Sequence, residues 1–267
     1  MITIPVKAKE RLVAGLKKFQ PIVRKAKDKD INESDTVTVI ADILSDVFGY
    51  DKYGEITSEY AVKKTFCDLA IEINGKLIML IEAKAAGLAL KDDYIRQAVD
   101  YGSNSGVDWV ILTNGVYWKV YKIIFAKPVE NELIYEFDFT ELSAKKQSDL
   151  EMLYYISRES ISKITNTLLS EFAEQKHLLN QFFIGQVLMT DTIVETIRRQ
   201  MRKIAPEAKV SNEEISDILM NLVIKRDVFE GDKSDEAKKR IQKYERAMAK
   251  QQVSKPVADE SSGPIEE

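Results

Sequence analysis

The chain predicts an α/β fold: a mixed central sheet flanked by helices, followed by a smaller all-helical C-terminal domain. Three observations carry this. Residues 65–73 and 76–83 are apolar β-rich runs joined by Asn74-Gly75, the strongest short hairpin signal in the chain. A helical pattern over 91–103 then leads into the apolar strand Trp109-Val110-Ile111-Leu112-Thr113, and a right-handed crossover sets that strand parallel to 76–83. From Glu141 onward strand signals vanish and helical periodicity takes over.

The elements follow in order. Residues 6–27 place Val13, Leu16, Phe19 and Ile22 on one helical face, with Pro21 expected to end or break the helix. Asn32-Glu33-Ser34 offers cap chemistry for a second helix, whose face is Ile40, Ile43, Leu44, Val47 and Phe48 and whose stop is Gly49. A short strand over 55–62 precedes the hairpin, and Asn114-Gly115 turns 109–113 into a strand over 116–124. Helical patterns cover 150–169, 171–188, 190–204 and 212–228, the last capped by Ser211 or Asn212. The expected domains are a basic N-terminal helical extension (1–31), the sheet domain (32–140), a helical domain (141–230) and a polar tail (231–267). That tail reads as disordered apart from a helical stretch over 235–250.

Composition excludes several classes. One cysteine, Cys67, rules out an internal disulfide and a cysteine-based zinc cluster. One histidine, His177, inside a helical pattern, removes His-based metal sites and the Ser-His-Asp triad. No apolar run approaches the ~20 residues of a membrane span, and the first residues lack a signal-peptide core, so a cytoplasmic protein with no membrane partner is expected. The net charge of −4 conceals an uneven distribution: residues 1–31 carry nine Lys/Arg against three carboxylates, leaving −10 for the remainder. A local basic surface binds phosphate whatever the overall sign. Lys17 and Lys18 are candidates, although a solvated face on an amphipathic helix explains that segment somewhat better; Arg198, Arg199 and Arg202 on a C-terminal helix are further candidates that a solvated face explains equally well.

The chemistry concentrates on Asp68, Glu82 and Lys84. Glu82 and Lys84 alternate onto one strand face with Ala83 on the other. A plain two-residue turn pairs Ile73 with Lys76 and Asp68 with Ile81, leaving Glu82 facing away from Asp68. A one-residue shift restores a shared face. Gly75 as the left-handed residue of a G1 bulge, or a bulge beside Asp68, would supply it, so the hairpin is expected not to be a simple type I′ turn. On a shared face, Asp68, Glu82 and the backbone carbonyl of Ala83 offer oxygen ligands to Mg²⁺, with Mn²⁺ as a substitute. Lys84 would lie over the same phosphate. The competing reading is a structural ion-pair cluster, which burial for stability alone rarely favours.

This stretch resembles the PD-(D/E)xK nuclease superfamily, and more narrowly the N-terminal nuclease domain of type I restriction enzyme motor (R) subunits. Gln97 and Tyr101 look like the family's Q-x-x-x-Y motif, four residues apart on one helix face, and Asn32-Glu33-x-x-Thr36 is similar to the acidic start of its first core helix. Cys67 replaces the nominal proline. The resemblance covers roughly 32–125 and implies a restriction-endonuclease-like fold and hydrolysis of DNA phosphodiesters in restriction or phage defence. It assigns Asp68, Glu82, Lys84 and Gln97 to catalysis, with Tyr101 auxiliary and Glu33 as a further metal ligand. No G-x-x-x-x-G-K-[ST] is present, so the chain is expected to be either a stand-alone nuclease or part of an assembly whose motor, methylase or specificity subunits lie elsewhere. The C-terminal helices are candidates for a homodimer contact. The alternatives are a catalytically inactive DNA-binding module and an oligomerising scaffold on the same fold.

Overall fold

The computed structural model describes residues 2–62, 65–125, 127–162 and 167–253. The chain divides into two compact units, Met1–Glu174 and Gln175–Glu267. The first holds a six-stranded sheet whose spatial order follows the sequence: β1 (Ile56–Val62), β2 (Thr65–Ile73), β3 (Lys76–Ala83), β4 (Trp109–Thr113), β5 (Tyr117–Ile124) and β6 (Glu130–Asp138). Only β3 and β4 are parallel, as the crossover predicts. The connection runs through a 3₁₀ turn, Asp92–Ile95, and helix α3, Arg96–Ser105, which stops at Gly106 in the left-handed region at φ 68°.

The hairpin departs from expectation in an instructive way. Asn74 and Gly75 both have positive φ, 53° and 72°, and Ile73 pairs with Lys76. The turn is therefore the simple type I′ form after all. The shift comes later, inside β3. Glu72 pairs with Leu77 but Ile71 pairs with Met79, so Ile78 is the extra residue of a β-bulge. Ile78 and Met79 consequently pack toward one face, and alternation resumes with Leu80 on the other. The shifted register brings Glu82 opposite Asp68.

Each sheet face has its own core. Leu69, Ile71, Met79, Ile81 and Ile111 pack with helices α1 (Val6–Asp28) and α2 (Glu33–Asp46), whereas Ala70, Leu80, Val110 and Leu112 pack with Ala98, Val99 and Tyr101 of α3. Two sequence expectations are corrected here. Helix α1 continues through Pro21, which lies on its exposed side. A mid-helix proline costs about 3 kcal/mol, and burial of Leu12, Leu16, Phe19 and Val23 around it outweighs that. Nor is α1 an appended extension, since those residues belong to the main core.

Strand β6 carries no clear alternation in E-N-E-L-I-Y-E-F-D and escapes a sequence reading, yet it stacks Phe137 on Trp118 at 6.1 Å. The boundary expected near 140 moves as well. Helix α4 (Gln147–Tyr155) buries Leu150, Leu153 and Tyr154 in the sheet core, and the short α5 (Arg158–Ile161) ties back through Arg158 to Glu55. Helix α6 (Leu168–Leu178) runs across the division.

The second unit contains α7 (Gln181–Leu188), α8 (Asp191–Ile204), α9 (Asn212–Ile218) and α10 (Asp232–Val253). Ser211 caps α9 through a reciprocal box with Glu214. A π-helical turn over Leu219–Val223 follows. Residues 254–267, read from sequence as a disordered tail, lie outside the described residues.

Candidate active site

Asp68, Glu82 and Lys84 meet on the α3 face where β2 begins and β3 ends. The bulge does this, and a hydrogen bond seals it: Ala83 N–H donates to Asp68 Oδ2 at 2.7 Å. Lys84 Nζ donates to Glu82 Oε1 and to the Ala83 carbonyl, both at 2.7 Å, and lies 3.6 Å from Glu33 Oε2. Glu33 arrives from the first turn of α2, which Asn32 caps by accepting from Asp35 N–H at 2.9 Å. Asp68, Glu82, the Ala83 carbonyl, Glu33 and Lys84 therefore gather at one strand end.

Burial sets the electrostatics. Glu82 is only 7 % exposed, and desolvation pushes its carboxyl above the ordinary glutamate value, against the Lys84 hydrogen bond that pulls it down. For Lys84, burial works against the ammonium, but the Glu82 hydrogen bond and the charges of Glu82, Glu33 and Asp68 override it and hold the amine above its usual value. The neighbouring Cys67 thiol is pushed up to about 12 by burial and then by Glu82 and Asp68. Its side chain packs with Ala70, Leu80 and Ala98 in the core on the α3 face.

Gln97 makes two contacts. Its Nε2 donates to the Tyr101 hydroxyl at 2.6 Å and to the Phe66 carbonyl at 3.4 Å, and neither partner is Lys84. The pair thus braces the start of β2, beside Asp68. Tyr94, in the 3₁₀ turn, is the residue that flanks Lys84, with its ring centroid 5.9 Å from Nζ. Its position three residues before Gln97 was the available signal. The turn is held by Asp92, which accepts from Lys119 at 2.9 Å and Tyr121 at 3.0 Å. Lys119 itself sits in the row Glu82–Leu112–Lys119–Glu136 across the sheet, a register that sequence spacing alone does not reveal.

The remaining candidates lie elsewhere. Lys18 is bound to Asp46 at 2.6 Å, and Lys17 is exposed on α1. In the second unit, Arg198 forks onto Glu195 at 2.7 and 2.9 Å, Arg199 donates to Thr196, and Arg202 shares a pocket with Arg198.

The donors suit a hard divalent cation. Two buried or half-buried carboxylates and a carbonyl are the oxygen set that Mg²⁺ takes alongside water, and a cation, the Lys84 ammonium, already stands among the oxygens of Glu82, Ala83 and Glu33. Among the described residues no group of three or more His, Cys, Asp or Glu side chains is close enough to hold a metal by itself. Asp68 is engaged with the Ala83 amide and Glu33 is drawn toward Lys84, so the fit is that of a two-carboxylate site.

Residues 36–137, less than half of the chain, match the family described as type I restriction enzyme R protein N terminus (HSDR_N). The sheet domain is similar to that R-protein N terminus. The match takes in all six strands to Phe137, and with them Asp68, Glu82, Lys84, Gln97 and Tyr101, while α1 and Glu33 fall outside it. No curated protein and no solved structure matches the chain. The R-protein-like domain thus has a restriction-system relative, and no described helix is long and apolar enough to cross a membrane.

Proposed function

We propose that the chain is a Mg²⁺-dependent nuclease that hydrolyses DNA phosphodiester bonds within a restriction system. The observation that carries this is the convergence of Asp68, Glu82 and Lys84 on one face, achieved by a bulge that a plain hairpin would not need. Asp68, Glu82 and the Ala83 carbonyl would hold the metal, with Glu33 beside them. Bound there, the metal lowers the pKa of a water and neutralises charge on the phosphate. Lys84, released from Glu82, donates to a non-bridging phosphate oxygen and stabilises the charge that builds on it. Tyr94 limits where the amine can swing. Gln97 and Tyr101 act indirectly, by fixing the strand start that carries Asp68. DNA translocation and sequence reading would fall to motor, methylase or specificity subunits, and restriction of foreign DNA is the matching biology.

The test is cleavage of supercoiled plasmid with Mg²⁺ or Mn²⁺, comparing wild type with Lys84→Ala. Nicking or linearisation that chelation abolishes is expected, falling about 10²–10³-fold in the variant, as for loss of one transition-state donor. A second reading, a DNA-binding module without turnover, is favoured by one observation: Lys84 caps the oxygens a metal would need. Absence of any metal-dependent cleavage by wild type, with DNA affinity intact, would select it.

A further inference from the structure

The C-terminal turn of α1 stands at the rim of the candidate site and carries Lys25, Lys27 and Lys29 interleaved with Asp28 and Asp30. Three contacts locate it there. Ala86 N–H donates to the Ile31 carbonyl at 3.4 Å, Glu33 lies 3.6 Å from Lys84, and Lys27 Nζ sits 5.3 Å from the ring of Tyr117, which opens β5 beside the Asn114-Gly115 turn. Lys25, Lys27 and Lys29 are all exposed, and Tyr117 is 41 % exposed. Three other cations of α1 lean on the body of the unit and are matched, Arg11 by Glu159, Lys18 by Asp46, and Arg24 by the Thr140 carbonyl and Glu141, whereas Lys7, Lys9 and Lys17 are exposed farther from the site. Among the described residues Lys25, Lys27 and Lys29 have no carboxylate at ion-pair distance. Complementing the helix dipole does not account for three of them, because a helix C-terminus presents only about half a negative charge.

We propose that the end of α1, with Lys27 and Tyr117 on one flank and Lys25 and Lys29 on the other, holds the backbone of duplex DNA as it enters the site. The inference rests on the nuclease reading for its direction, since the helix end leads to Lys84. Residues 25 to 29 rise about 6 Å along the helix, which spans one to two phosphates of a strand whose charges repeat every ~3.4 Å along the axis. A nucleic-acid backbone, unlike an acidic peptide, also carries the phosphodiester on which the proposed carboxylate–lysine site would act.

The experiment reads binding without turnover, so its outcome stands apart from the cleavage assay. Full-length protein binds a short fluorescent DNA duplex in chelator, and anisotropy is followed over a salt series. Lys27→Gln/Lys29→Gln should weaken binding at least tenfold at low salt and flatten the slope of log affinity against log salt by about 2, because each phosphate that a lysine neutralises contributes ~0.9 to that slope. Lys7→Gln/Lys9→Gln removes the same charge from the opposite end of α1, roughly 30 Å away, and should leave slope and affinity unchanged. All four positions are exposed, and thermal unfolding checks that both variants stay folded. Equal losses in the two variants, or no change in the first, would overturn the proposal. Tighter binding of an RNA duplex with the same lysine dependence would overturn DNA as its ligand.

Discussion

Glu55 and Glu82 are buried carboxylates with opposite consequences for stability. Glu55 is gripped by Arg158, whose Nε lies 2.7 and 2.8 Å from its two oxygens, and it also accepts from Asp51 N–H at 3.0 Å. The Arg158 hydrogen bonds hold its carboxyl below the usual 4.5 despite burial. A depressed folded value means stability that is present above 4.5 and lost as pH falls through the folded value. Glu82 is raised by burial, so its contribution is present below 4.5 and lost as pH rises through its folded value. At neutral pH the fold therefore carries a cost at Glu82, where the proposed chemistry needs a charge. Glu55→Gln should lower unfolding free energy by about 2 kcal/mol at pH 7, the worth of hydrogen bonds to a charged group. It should also flatten the acid limb of stability below pH 4.5, as urea denaturation across pH would record.

At the scale of elements, the β2–β3 hairpin and helix α1 show how local signals and packing divide the work. Asn74-Gly75 specifies its turn locally, since both residues tolerate positive φ. The bulge at Ile78 has no local signature. It arises because two incompatible requirements meet: a two-residue turn at one end, and Leu69 and Ile81 both facing the α1–α2 core at the other. Helix α1 was legible as an amphipathic pattern, but Ile22, read onto its apolar face, is exposed while Leu12 and Val23 are buried, and neither its passage through Pro21 nor its place in the core could be read from periodicity. Leu12 is fully buried, so Leu12→Ala should cost about 2–5 kcal/mol in chemical denaturation. Ile22→Ala, at a position 40 % exposed, should change stability by less than about 0.5 kcal/mol. A dispensable extension would lose no stability at Leu12 either.

For the whole molecule, the division at Glu174 assigns α4 and α5 to the sheet unit, where Tyr50 donates to the Ile156 carbonyl and Arg11 forks onto Glu159 at 2.6 and 2.7 Å. A fragment of residues 1–174 should therefore fold cooperatively and keep the mixed α/β circular dichroism, whereas one ending at 140 exposes the surface that Leu150, Leu153 and Tyr154 cover and should aggregate or unfold. The second unit exposes Met201, Ile204, Leu222 and Val223, the last three at 86, 80 and 64 %. If those side chains join two copies, light scattering will give a dimer for the full chain and a monomer for 1–174; a full-length monomer would remove the dimer.

By itself the sequence determined the order and type of most elements and the residues of the candidate site, because turn chemistry, hydrophobic period and paired charges are local properties of the chain. Tertiary structure decided the rest. Which face Glu82 takes, which side chain neighbours Lys84, where the first unit ends and what α1 packs against all depend on contacts between residues far apart in sequence. Such contacts are settled only when both sheet faces are filled at once.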